Sequence, residues 1–203
     1  MSRRIRPGAA GLLAALLALH AGGQEEGGAA REKIAAVLAA ARSQIGVTTV
    51  YDGSYRRLAY PGGDLPAERG VCTDVLVRAF RAAGVDLQRL VHEDMTRAFS
   101  DYPNLWGLAG PDPNIDHRRV PNLVAFFRRQ GASVPVTDRP SDYLAGDVVT
   151  WRLPSGLPHI GLVSSARAPG TDRPLVLHNI GRGTREEDVL FAYVLTGHFR
   201  YFR

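Results

Sequence analysis

Gly146-Asp147-Val148-Val149-Thr150-Trp151 and, after a turn, His159-Ile160-Gly161-Leu162-Val163 are the stretches whose reading decides how this chain folds. Upstream of them the apolar residues recur at helical spacing; from here on the period changes to two. Val148 to Trp151 and His159 to Ser164 therefore read as strands. Leu175 to Ile180, Val189 to Val194 and Phe199 to Phe202 continue the series between Pro/Gly turns. Working back toward the N-terminus, four helices are expected. Ile34, Val37, Leu38, Ala41 and Ile45 line one over residues 31–45, stopped by Gly46. A second opens near Cys72 and carries Val75, Leu76, Ala79, Phe80 and Ala83 to a stop at Gly84. Asp86 can cap a third with Leu87, Leu90, Val91, Met95, Ala98 and Phe99 inside. Pro121 suits the first turn of a fourth, buried through Leu123, Phe126 and Phe127 and closed by Gly131. Helices first and a mostly antiparallel sheet second make an α+β domain.

The N-terminus has a different character. Arg3, Arg4 and Arg6 precede the apolar run from Gly11 to Leu19, and Ala21-Gly22-Gly23 offers small residues before Gln24. This is the pattern of a secretion signal over residues 1–23, with an apolar core too short to anchor in a bilayer. No cysteine stands directly after the cleavage point, where residue 24 is Gln, which excludes a lipoprotein anchor. A Gly/Ala/Glu linker over 24–30 and a single domain over 31–203 are expected, in the periplasm or outside a bacterial cell, with no integral membrane segment after signal removal and as a monomer. The formal charge of +5 falls to +2 once the three leader arginines are gone. Arg56-Arg57, Arg118-Arg119 and Arg128-Arg129 are scattered pairs rather than a stripe, so nucleic acid is not an expected partner.

Cys72 is the only cysteine. In an oxidising compartment cysteines usually pair, and a lone one is buried and inert, paired between molecules, or kept for chemistry. It stands in Gly70-Val71-Cys72-Thr73-Asp74, where loop gives way to helix, so unsatisfied N–H groups and the helix dipole are expected to favour the thiolate. A nucleophilic thiol needs a base in reach, and the base needs an orienting partner. His159 begins one predicted strand and His178 ends another, followed by Asn179. Strand alternation sends His178 and Asn179 to opposite faces, so one of the two orients the base, and spacing alone leaves the choice open.

These motifs carry a resemblance. A cysteine opening a helix, then Gly146 to Trp151, His159 to Val163 and Val176-Leu177-His178, is similar to the secreted NlpC-type cell-wall peptidases, compact relatives of papain. More narrowly, four motifs resemble a family of exported bacterial proteins known as the domain of unknown function numbered 1287. They are Tyr60-Pro61-Gly62-Gly63-Asp64, Gly70 to Asp74, Asp112 through Leu123, and Leu177-His178-Asn179-Ile180-Gly181. The broader resemblance implies a papain-like fold and a cysteine hydrolase acting on peptide or amide bonds, plausibly in peptidoglycan stem peptides. It implies Cys72 as nucleophile, His159 as base and His178 as orienter, with no cofactor and no metal. Tyr51, Asp52, Arg118 and Arg119 are candidate substrate contacts, the arginines because a guanidinium fork grips carboxylates. A non-catalytic wall-binding or scaffolding protein, or an acyl or amide transferase using the same thiol, are the alternatives.

Other chemistries find no footing. His92-Glu93-Asp94 lacks a second histidine at position 96, which is Thr, so a zinc helix is not expected. Asp112, Asp116 and His117 lie in an Asp/Asn-rich loop of the kind that makes its own side-chain turns. Residue 30 is Ala, which rules out Ser-x-x-Lys before Lys33, and no Gly-x-Ser-x-Gly occurs.

Overall fold

The structure, a computed structural model, describes residues 27–203. The expected leader lies outside the described residues, as do residues 24–26. Residues 27–30, read above as linker, are already helical and open α1 (residues 27–42), because Ala29 and Ala30 are strong helix formers that extend its first turn. Val37, Leu38 and Ala41 are its buried face. The helix stops before Ile45, which is left exposed in the turn that follows rather than facing inward.

The next three helices follow the predicted stripes. They are α2 (Cys72–Ala82), α3 (Leu87–Arg97) and α4 (Val120–Arg129). Asp86 caps α3 by accepting the Gln88 N–H at 3.1 Å. Pro121 sits in the first turn of α4, where its missing N–H costs no helical bond.

Five antiparallel strands form one sheet in the order β4-β3-β2-β1-β5. They are β1 (Val148–Arg152), β2 (Pro158–Arg167), β3 (Pro174–Asn179), β4 (Thr184–Glu187) and β5 (Val194–Phe199). The sequence expectation differs in three places. Thr184-Arg185-Glu186-Glu187 has no apolar alternation to betray a strand, yet it pairs as β4 at the sheet edge, where charged side chains suit an exposed ladder. Residues 189–193, expected to be a strand, form turns instead. Their apolar content has another use, because Leu190 closes over Trp151 and its carbonyl accepts the indole N–H at 2.9 Å. The last strand, expected over residues 199–202, instead runs from Val194 to Phe199, and residues 200–202 lie beyond it.

The sheet is covered on both faces. One core layer packs α1, α2, α3 and α4 on Val148, Ile160, Leu162, Leu177 and Phe199, with Phe80, Phe126 and Phe127 at its centre. The opposite layer is smaller and holds Tyr143, Val149, Trp151, Val163, Val176 and Leu190. Burying a side chain such as Phe80 or Phe127 contributes about 1.5–3 kcal/mol. Gly161 decides how β2 meets β3. A Cβ there would lie 2.8 Å from Val176 Cγ1 and 3.2 Å from His178 Cβ, so only glycine lets the strands approach at the point where the histidines stand.

Candidate active site

A glycine and a buried ion pair shape the start of α2. Gly70 has φ +156°, and a Cβ on it would come within 2.9 Å of Asp74 Cβ, so the chain can enter the helix this tightly only with glycine. Val71 has no side-chain acceptor to cap the helix. Asp74 reaches back instead and accepts the Val71 N–H at 2.7 Å. Its carboxylate also receives Arg118 Nε at 2.8 Å and the Arg118 Nη2 group at 3.0 Å. Arg118 goes on to donate to the carbonyls of Ser54, at 2.8 Å, and Asp52, at 2.7 Å. Thr73 Oγ1 closes the knot by donating to the Arg118 carbonyl at 2.9 Å. One buried ion pair thus ties the helix start to the loop that carries Tyr51.

Cys72 occupies the first position of α2 and is buried. Its sulfur faces the backbone N–H of Ile160 on β2, together with the N–H groups of Thr73 and Cys72 itself. The peptide that meets the sulfur joins Ile160 to His159; Ile160 packs in the helix-side layer with Cys72, and His159 is the cross-strand partner of Trp151 in the smaller layer. The expected thiolate is a point the structure corrects. Burial pushes the thiol up to about 11, Asp74 adds to the rise, and the three N–H groups offset it only in part. The helix start favours an anion, but removal from water outweighs it. Over the site lies Tyr51, whose ring is half-exposed and whose hydroxyl faces the sulfur; burial and the neighbouring thiol raise that hydroxyl well above its ordinary range.

The two strand histidines meet. His159 Nε2 and His178 Nδ1 are 2.8 Å apart, and His178 Nε2 lies 3.1 Å from Glu187 Oε2. The His159 ring stacks on Trp151 with 5.6 Å between centroids. Burial holds His159 down to about 3, and it also lowers His178, against which Glu187 pulls the other way. Both rings are therefore neutral at pH 7. Strand alternation sends His178 and Asn179 to opposite faces, and their hydrogen bonds separate them. His178 bonds to His159, whereas Asn179 turns to the helix side and donates to the Gly70 carbonyl at 3.2 Å.

Of the candidate substrate contacts, Arg118 is not available. Its side chain is 1 % exposed and its donors are spent on Asp74, Ser54 and Asp52, so it is a clamp within the fold rather than a grip for a carboxylate. Asp52 is likewise engaged, by Ser54 and Arg69. Arg119 lies under the Trp106 ring, 3.9 Å from its centroid, and 3.5 Å from Asp116. Tyr51 alone of the four faces the thiol. The Asp/Asn loop does make its own turns. Asp112 accepts the Asn114 N–H at 2.8 Å and the Tyr55 hydroxyl at 3.0 Å, while Asn114 accepts the Leu58 N–H at 2.8 Å, so the segment braces the loop over residues 52–58. Glu187 escaped sequence reasoning because its strand has no apolar signature, and so did the partner of Asp74, which lies 44 positions away.

Helices packed on a five-stranded antiparallel sheet, with a buried cysteine opening one helix and a hydrogen-bonded histidine pair on two neighbouring strands, make an α+β domain. The chain belongs to the family described as Domain of unknown function (DUF1287), whose model matches residues 38–201. It is 58% identical over 168 residues to the uncharacterized protein YijF of Escherichia coli (strain K12), covering 82% of this chain and 81% of that one. Among solved structures it is similar to NlpC1 from Trichomonas vaginalis, with a TM-score of 0.43 and 13% sequence identity over 82% of this chain; it spans 43% of that chain.

Proposed function

We propose that the domain is an exported thiol hydrolase that cleaves peptide or amide bonds, with peptidoglycan stem peptides as its substrate. The observation that carries this reading is the meeting of Cys72, at a helix N-terminus and facing three backbone N–H groups, with the strand that bears His159 and its partner His178. In the resting state thiol and imidazole are both neutral. Attack on the carbonyl carbon passes the S–H proton to His159, and the carbonyl oxygen takes its developing charge toward N–H groups at the start of α2. The same ring then returns the proton to the leaving amine, and water releases the acyl group from sulfur. Acyl transfer to another acceptor shares every step but the last.

The sealed, neutral thiol favours a second reading, a wall-binding protein without turnover. Incubating the purified mature protein with peptidoglycan fragments beside a Cys72→Ala variant separates the two. Fragments cleaved by the parent and not by the variant support hydrolysis. Equal cleavage by both removes Cys72 from the chemistry, and retention of fragments without cleavage by either supports binding. Export is tested by cell fractionation with and without residues 1–23. A chain that stays in the cytoplasm with its N-terminus intact overturns the leader.

A further inference from the structure

The contacts on β4 give the histidine pair a third member. Along β3 and β4, His178 is opposite Arg185 and Val176 is opposite Glu187, so Glu187 stands on the same sheet face as His178, one diagonal step away. Its Oε2 approaches His178 Nε2 at 3.1 Å, while its Oε1 lies 3.6 Å from Arg185 and 3.8 Å from Arg182. An ionised carboxylate only accepts hydrogen bonds. The proton of a neutral His178 therefore sits on Nε2, facing Glu187, and its Nδ1 carries a lone pair. That lone pair must accept from His159 Nε2, 2.8 Å away, which places the His159 proton on Nε2 as well. His159 Nδ1 is left bare, and among the described residues it has no hydrogen-bond partner.

We infer that Glu187 is a positioning residue that sets the tautomers of His178 and His159 in series and so leaves His159 Nδ1 free to take a proton. The catalytic consequence rests on the thiol hydrolase reading; the tautomer assignment does not. When Nδ1 takes the Cys72 proton, the Nε2–H bond to His178 is kept, and the new positive charge faces a neutral ring backed by the Glu187 carboxylate. No proton passes to Glu187. It orients the pair in the way that hydrogen-bond partners behind a functional histidine fix its tautomer.

The test reads the ring nitrogens directly. Nitrogen-15 NMR of the uniformly labelled protein at pH 7 is expected to show both histidines protonated at Nε2 and bare at Nδ1. Glu187→Met, similar in shape but without an acceptor, is expected to mix the tautomers of both rings. Glu187→Gln, whose amide oxygen still accepts, is expected to restore the parent pattern. A parent protein with His159 protonated at Nδ1 overturns the inference, as does a folded Glu187→Met protein with unchanged ring shifts. In the cleavage assay Glu187→Met is expected to lose about tenfold in kcat, with recovery in Glu187→Gln. If peptidoglycan is not cleaved at all, the hydrolase reading fails while the ring nitrogens still report on Glu187.

Discussion

Asp74 and Arg118 form a two-pronged ion pair, 2.8 and 3.0 Å long, between side chains that are 4% and 1% exposed. The pair lies in the turn of helix that holds Cys72, and it draws the Asp52–Ser54 loop over that turn. It explains how a long loop without secondary structure takes a defined position over the thiol.

Removing either partner leaves the other charge buried without compensation. Arg118→Met is expected to cost about 3–5 kcal/mol of folding free energy, measured by urea unfolding at pH 7. The same variant should open the Tyr51 loop, seen as faster proteolysis between residues 51 and 58. A loss under about 1 kcal/mol would mean that the pair is held by its surroundings rather than holding them.

Burial raises the Cys72 thiol to about 11 from an ordinary 9, so its alkylation should climb with pH through about 11. Between pH 9 and 11 the unfolded chain has lost a proton that the folded one retains. Stability is present below pH 9 and declines as pH rises through 11, by roughly 2–3 kcal/mol from this group. Rates of iodoacetamide labelling across pH 6–11 check the first point. A plateau by pH 8 would show an activated thiolate instead.

Tyr51 supplies part of that cover while remaining 47% exposed itself. Tyr51→Ala is expected to speed labelling of Cys72 about tenfold at pH 8 and to move the unfolding free energy by less than about 1 kcal/mol. Unchanged labelling would place the barrier elsewhere in the loop.

His159 is held down to about 3 and His117 to about 4, in both cases by burial, with Arg118 adding to the effect on His117. An unfolded histidine binds its proton near pH 6.5, so between that pH and about 3–4 the unfolded chain carries more protons. Stability is complete above pH 6.5 and falls as pH drops. Urea midpoints from pH 7 to 4 should fall, and His117→Leu should make the decline shallower. An identical slope in the variant would count against a neutral, buried His117.

Gly161→Ala puts a methyl group 2.8 Å from Val176 Cγ1 and 3.1 Å from the Leu177 carbonyl oxygen. The strands must part there, at a cost of about 1–3 kcal/mol, and the His159–His178 bond should lengthen. Thermal unfolding reads the first effect and the histidine ring nitrogen shifts read the second.

Local pattern was a sound guide wherever one segment's own periodicity decided the outcome. The stripes on α2, α3 and α4, the capping Asp86, and the strands through Val148, Ile160 and Leu177 could be read residue by residue, because each buries one face. The pattern misled at residues 189–193, where apolar residues cover Trp151 from a turn, and at β4, whose four polar residues are held by pairing with β3 and by bonds to Thr48 and Arg42.

The sequence by itself determined that Cys72 opens a helix, that His159 and His178 stand on strands of one sheet, and that helices precede that sheet. These follow from spacing, since a period of 3.6 or 2 is written into neighbouring residues. Only the tertiary structure decided that the thiol is sealed and neutral, that His178 rather than Asn179 meets His159, that Arg118 is a clamp, and that Glu187 stands behind the histidines. Each of these depends on groups far apart in the chain and on exclusion of water, and burial has no local signature. The helix start at Cys72 favours an anion in any protein; what surrounds it here makes the resting group a thiol.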